Sequence, residues 1–376
     1  MKTAIVHDWL TVLGGADLVV RIIHDIFPSA PIFTFVYNPD NMPDSFREID
    51  VRTSFVQKLP FAKTRYRSYL PLFPIAVEQF DLSEFDLVIS SSHCCAHGAL
   101  PHAEALHLCY CYTPMRYAWD LYHSYAQSLG KLSRIAAAPL LSFIRHWDFA
   151  AAQRVDKFVA ISRAVRTRIR KRYRREADII HPPVDTDSFR PVHPDDVDDY
   201  FFIMSRHVPY KKVDLAIRAF NTLKLPLVVA GDGPQTGYLK SIAGPTVKML
   251  GRVPDSEARK LMARCKAFIF PQEEDFGLTP VEAQATGRPV IAYGKAGALD
   301  TVIDGVTGTF FHEQTPEALA DTVASFRAED FDPRTARRNA ESFSIPEFKK
   351  AFERFARDSY ARRNDDQEQP LLAADR

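Results

Sequence analysis

Short apolar runs and longer helical patterns alternate along this chain. "TAIVHD" (3–8) gives way to Gly14-Gly15 and a helical pattern reaching Ile26. "PIFTFVY" (31–37), "DLVISSS" (86–92), "LHLCYCY" (106–112) and "KFVAIS" (157–162) repeat the apolar run. Continuous apolar runs of this length predict strands of a parallel sheet covered on both faces. Several end in small or polar residues before a helix, the βα rhythm of a doubly wound α/β fold.

The rhythm breaks over 182–199, where four prolines and six aspartates fall within eighteen residues. That composition predicts a linker. The pattern then restarts in "YFFIMS" (200–205), "LPLVVAGDG" (225–233), "TVKMLG" (246–251), "AFIFPQ" (267–272), "RPVIAYG" (288–294) and "TGTFF" (307–311). Two Rossmann-like domains follow, 1–185 and 186–345, expected to face each other across a cleft with ligand at the carboxyl ends of the strands. Phe348, Phe352 and Phe355 stand at helical spacing. They predict a helix or helix pair, 346–363, that packs back on the first domain. Residues 364–376 read as a disordered tail.

Composition changes this picture little. The 376 residues, 46% of them hydrophobic, carry a net charge of +1, so no overall charge draws the chain to nucleic acid. The charge is uneven, +4 over 1–185 and −3 over the rest. Cys94, Cys95, Cys109 and Cys111 cluster without zinc-knuckle spacing; they predict buried thiols in a reducing compartment and no metal site. The N-terminal apolar stretch meets His7 and Asp8 too soon for a signal peptide. No run approaches the ~18 apolar residues of a spanning helix. A cytoplasmic protein is expected, peripheral on the inner face of the membrane. Residues 59–74 interleave Lys63, Arg65 and Arg67 with Phe61, Tyr66, Tyr69 and Phe73. Residues 163–177 set many cations beside a Val165, Ile169, Tyr173 stripe. Both suit an anionic lipid surface or a lipid diphosphate; for the second a solvated face is the plain alternative.

Candidate chemistry concentrates in the second half. Arg206 follows a strand, Lys211 lies five residues on, and a helical pattern starts directly after. Two cations beside a helix N-terminus form an anion site. Gly231-x-Gly233 after the next strand permits a tight turn or a close ligand. In "QEEDFGLTPVEAQATGRPV" (272–290), Glu274 falls in a loop and Glu282 in the first turn of a helix expected to begin near Pro280. Two carboxylates flanking Phe276-Gly277-Leu278 can accept from sugar hydroxyls. Helix capping and a solvated loop acid are the plainer readings. In "MRYAWDLY" (115–122), Arg116, Tyr117, Trp119 and Asp120 suit sugar stacking and hydroxyl bonding, or ordinary packing.

Taken in order, "EDFGLTPVE", "SRHVPYK", "GDGP" and "GRPVIA" resemble the retaining glycosyltransferases of family 4, with the GT-B fold. "HDW", "SSSH", "YTPMRYAWDLY", "RVDKFVAIS" and "HPPVDTDSF" are similar to bacterial mannosyltransferases of polysaccharide and O-antigen assembly, the WbaZ-like group. The resemblance implies a nucleotide sugar, GDP-mannose first, with no metal and no other cofactor. It implies that Glu282 holds the ribose hydroxyls and Glu274 the transferred sugar, beside backbone groups of Phe276, Gly277 and Leu278. Arg206 and Lys211 would clasp the diphosphate, which the Gly14-Gly15 turn also approaches. The acceptor implied is a lipid-linked glycan. Many members carry histidine where this chain has Tyr112, which leaves one sugar contact open; His93 is a further candidate, or a plain strand-end histidine. Glu273 and Asp275 should be dispensable. The alternatives are a transferase using a UDP sugar, an isomerase of the same fold, and a non-catalytic sugar-nucleotide-binding protein.

Overall fold

The computed structural model describes residues 1–120 and 131–368. The chain divides into two compact units. Unit 1 is Met1–Ile180 with the chain from Lys349 onward, and unit 2 is His181–Phe348. The change falls before the 185/186 boundary read from the prolines, because Val184 donates to the Phe343 carbonyl at 2.8 Å and bridges Ser344.

Unit 1 holds seven parallel strands: β1 (Thr3–His7), β2 (Ile32–Thr34), β3 (Val51–Thr53), β4 (Leu87–Ser92), β5 (Leu106–Cys111), β6 (Lys157–Ala160) and β7 (Ala177–Ile179), in the order β3-β2-β1-β4-β5-β6-β7. The five apolar runs are its central strands. The edges β3 and β7 carry no such signal; each has three residues and a partly exposed, patternless face. One core cluster packs Phe35 flat on Phe73 at 4.5 Å, with Phe33 and Phe80 beside them. Each buried phenylalanine stabilises by roughly 1.5–3 kcal/mol.

Unit 2 holds six: β8 (Phe201–Met204), β9 (Leu227–Ala230), β10 (Val247–Gly251), β11 (Ala267–Phe270), β12 (Val290–Tyr293) and β13 (Gly308–Phe311), ordered β10-β9-β8-β11-β12-β13. All six match the predicted runs. Both sheets reverse direction of winding at an inner strand pair, β1/β4 and β8/β11. Such switch points open a crevice at the carboxyl ends, where ligands bind.

The C-terminal element is one helix, Ile345–Glu368, longer than predicted. The backbone of 364–368 is helical; the remaining tail, 369–376, lies outside the described residues. Within unit 1, Lys349 pairs with Asp25 at 2.9 Å, Phe352 meets the Tyr110 ring edge-on, and Arg363 pairs with Asp156 at 2.9 Å. All five cysteines are buried free thiols. Among the described residues, no helix is long and apolar enough to cross a membrane.

Candidate active site

The unit 2 switch point brings two distant loops together. After β8 come Arg206, a 3-10 turn Pro209–Lys211, Lys212 with φ +53°, and the helix Val213–Leu223. After β11 come residues 271–277 and the helix Leu278–Ala285. Lys211 Nζ makes an ion pair with Glu274 Oε1, both side chains about one-fifth exposed (18% and 20%). Gln272 Nε2 donates to the same oxygen at 3.2 Å, and the Glu274 carbonyl accepts from Gly297 N at 2.9 Å. Arg206 is exposed, and among the described residues no carboxylate pairs with it. Glu273 is exposed; Asp275 is half-buried.

Steric clamps fix the 274–278 loop. The Phe276 ring stacks on His181 at 5.3 Å and meets Phe343 at 5.6 Å. Its side chain is therefore an anchor, and only backbone groups of 276–278 are left for a ligand. Gly277 adopts φ +88°, and a Cβ there would stand 2.8 Å from the Phe270 ring. A Cβ on Gly297 would meet the Phe276 carbonyl at 2.2 Å. Gly231 and Gly233 are clamped in the same way. A Cβ on the first would lie 1.8 Å from the Ser205 carbonyl, and one on the second 2.5 Å from that of His207. These two glycines seat the Arg206 loop against β9, which is a packing role.

The helix begins at Leu278, two residues before Pro280, so Glu282 is its fifth residue and not in the first turn. A helix dipole acts mainly within the first turn, so it gives Glu282 little help. Burial instead pushes this carboxyl up to about 7, with Asp255 adding to the shift and Arg259 opposing it. The first turn has no side-chain cap, so the Leu278 and Thr279 N–H groups are oriented for an acceptor outside the helix.

In unit 1 the β1/β4 switch point gathers a different set. Asp8, fully buried, accepts four backbone N–H groups: His93 at 2.8 Å, Cys94 at 3.0 Å, Cys95 at 2.7 Å and Ala96 at 2.9 Å. Successive amides that converge like this would form an anion nest; here the chain fills it with its own carboxylate. His93 Nδ1 lies 3.1 Å from Asp8, and burial still lowers its basicity. Trp9, Arg67, Leu70, Phe73, His93 and Tyr117 line a cavity of 360 Å³. His93 and Tyr117 thus meet at one apolar pocket.

Three other acceptor candidates, Trp119, Asp120 and Tyr112, hold partners within the fold. Trp119 donates its ring N–H to buried Asp148 at 2.7 Å, with Arg145 and Arg172 over its ring. Asp120 pairs with Arg172 at 2.6 Å and Arg168 at 3.5 Å. Arg116 is half-buried on the same turn. Tyr112 donates to the Ala16 carbonyl at 3.1 Å, and burial raises its hydroxyl well above the usual phenol range. The Gly14 N–H is taken by Asp17 Oδ2 at 2.7 Å, which leaves Gly15 and Ala16 as the open amides of that turn. Asp8, Asp17 and Trp9 escape sequence reasoning: "HDW" carries a family signature, and its partners lie some eighty residues away.

Two family models match the chain, one for each half. The model Glycosyltransferase Family 4 matches residues 14–188, and Glycosyl transferases group 1 matches 185–343. The chain is therefore built of a family 4 glycosyltransferase domain followed by a group 1 domain, in the GT-B fold. An uncharacterized glycosyltransferase of Methanocaldococcus jannaschii is 24% identical over 207 residues, 53% of this chain and 58% of that protein. A GDP-mannose-dependent alpha-(1-6)-phosphatidylinositol monomannoside mannosyltransferase of Mycolicibacterium smegmatis is 30% identical over 212 residues, 48% of this chain and 54% of that protein. The chain thus spans little more than half the length of these curated relatives. The crystal structure of HepE from Anabaena in complex with UDP superposes with a TM-score of 0.70 at 17% identity, covering 95% of this chain and all of that one. That likeness concerns the fold alone.

Proposed function

We propose that this chain is a retaining glycosyltransferase that moves mannose from GDP-mannose to a lipid-linked glycan acceptor, without a metal. The observation that carries the proposal is the Lys211–Glu274 pair at the unit 2 switch point, with Glu282 further along the helix that follows, its carboxyl without a hydrogen-bond partner among the described residues. Lys211, Arg206 and the open N–H groups of helix 278–285 stabilise the departing diphosphate. The sugar C1–oxygen bond to phosphate breaks, the acceptor oxygen bonds to C1, and the acceptor proton passes to the leaving phosphate. Tyr112 takes no part in that transfer, because its proton is held by Ala16. The acceptor side is assigned to the Trp9–His93–Tyr117 cavity.

The sugar donor rests on the mannosyltransferase relative; the UDP complex of HepE favours a second reading, a UDP-sugar donor. Isothermal titration with GDP and UDP separates them. GDP should bind at least tenfold more tightly, and the reverse order would overturn the donor assignment. The same titration tests Glu282. Ribose hydroxyls donate to a carboxylate, so they favour the ionised form. With the free carboxyl near 7, Glu282 should raise affinity about tenfold from pH 6 to pH 8 relative to Glu282→Gln. Equal pH profiles for the two proteins would remove Glu282 from the ribose.

Membrane contact is proposed at residues 59–74, which contain three cations and no acid. Phe61 there is 72% exposed and adopts φ +55°, a conformation that costs a non-glycine residue about 1–2 kcal/mol and is not repaid by packing. Flotation with vesicles rich in anionic lipid should carry the protein, and Phe61→Ser with Arg65→Glu should leave it behind. Equal flotation with neutral vesicles would sink the electrostatic part of the idea.

A further inference from the structure

At the carboxyl ends of β1, β4 and β5, a chain of hydrogen bonds starts and ends on the same glycine turn. Its proton positions follow from its two ends. The Ala16 carbonyl can only accept, so the Tyr112 hydroxyl donates to it at 3.1 Å. Tyr112 in turn receives the Ser91 hydroxyl proton across 2.9 Å. With that proton committed, Ser91 offers His7 Nδ1 two acceptors, its Oγ at 3.2 Å and its carbonyl at 3.1 Å. The other ring nitrogen, Nε2, faces Asp17 Oδ1 at 3.2 Å. An ionised carboxylate only accepts as well. Asp17 Oδ2 closes the circuit on the Gly14 N–H at 2.7 Å. Each nitrogen of the His7 ring thus faces an acceptor, and each needs a proton.

We propose that His7 is held as a buried imidazolium which, through Asp17 on one side and Ser91–Tyr112 on the other, fixes the Gly14–Ala16 turn for phosphate contact. His7, Asp17, Ser91 and Tyr112 are then positioning residues. The proposal rests on the transferase reading, in which this turn meets a substrate phosphate. The ring is wholly buried, and the charged or titratable groups facing it are Asp17, Asp8, and His93 at 6.2 Å. Burial opposes the charge on His7, but the Asp17 hydrogen bond and charge, with Asp8 behind them, outweigh it and raise the ring above its usual range. The circuit also gives a reason for tyrosine at position 112. One tyrosine oxygen donates to Ala16 and accepts from Ser91, which no single imidazole nitrogen can do.

The sign of the pH effect follows. A histidine raised above its unfolded value of ~6.5 contributes fully below that pH and loses the contribution as pH rises through the folded value. Donor binding and transfer should therefore fall on an alkaline limb set by His7. Nitrogen-15 shifts of the His7 ring in the whole protein should show both nitrogens protonated at pH 7.5. A neutral tautomer there overturns the proposal. Tyr112→Phe frees the Ser91 hydroxyl to donate to Nδ1, so the ring can give up a proton. The limb should move down by about one pH unit, a tenfold loss at fixed pH on the limb. A purely structural Tyr112 would lower the melting temperature and leave the limb in place, which also overturns it. If both ring nitrogens carry protons but no sugar is transferred from any donor, the transferase reading fails and the circuit stands.

Discussion

Lys211→Ala should lose about 10²–10³ in kcat/KM, the usual cost of removing one preorganised group that stabilises a leaving anion. The ion pair makes this loss specific. At rest Glu274 neutralises Lys211, so the diphosphate must draw the ammonium away from it. Without Lys211 the Glu274 carboxylate faces an approaching dianion alone, and ground-state binding suffers together with turnover. Glu274→Ala should cost less in donor affinity, and the double variant less than the sum of the two, as expected for groups in direct contact. Arg206→Ala should resemble Lys211→Ala in turnover but show no coupling to Glu274, because no carboxylate pairs with it at rest. None of the three single changes should melt the fold; Arg206 is exposed, and a partly exposed ion pair contributes about 1 kcal/mol or less. Steady-state kinetics with a thermal melt on each variant decides the matter. Turnover within a few-fold of wild type for Lys211→Ala removes it from the diphosphate. Glu273→Ala, on an exposed side chain, is the control: a loss like that of Glu274→Ala would mean the register is wrong by one.

The legible parts of this chain are those where one local pattern determines the answer. Central strands are mostly apolar because helices cover both sheet faces, so the inner four of unit 2 can be read; its edges β10 and β13 are read because they run to five and four residues and keep apolar side chains. The edges β3 and β7 cannot, since three residues with an exposed side carry no period. The Arg206, Lys211 and Glu274 loops can be placed at strand ends, and strand order then brings them to one switch point. What each side chain does there depends on contacts across the sequence. Trp119 and Asp120 have the composition of a sugar site, yet Asp148, Arg145, Arg168 and Arg172 arrive from later segments and occupy them. Glu282 carries a helix-dipole explanation that fails once the helix starts two residues early; burial governs it instead. The steric need at Gly297 is not legible, because its φ is ordinary and its need for no side chain comes from the Phe276 carbonyl opposite.

Asp8→Ala should be the most destabilising single change in unit 1. The residue follows β1 directly and looks, in "HDW", like a polar group at a ligand-facing strand end. Its two oxygens each accept two backbone N–H groups from residues 93–96, at 2.7–3.0 Å, in a site with no exposure. An unsatisfied buried donor costs about 1–3 kcal/mol. Four of them together, even with partial relaxation, would take away several kcal/mol from a stability of about 5–15 kcal/mol. For a unit of this size that corresponds to about 10 °C or more in Tm. Asp8→Asn should recover little, because its amide turns two donors toward two others while its one oxygen serves the remaining pair. If Asp8 served a ligand instead, both variants would melt near wild type and fail only in turnover. A Tm within about 2 °C of wild type for Asp8→Ala would therefore transfer this residue from the scaffold to the chemistry. It would also reopen the amides of 93–96, beside His93 and the Trp9 cavity, as an anion site.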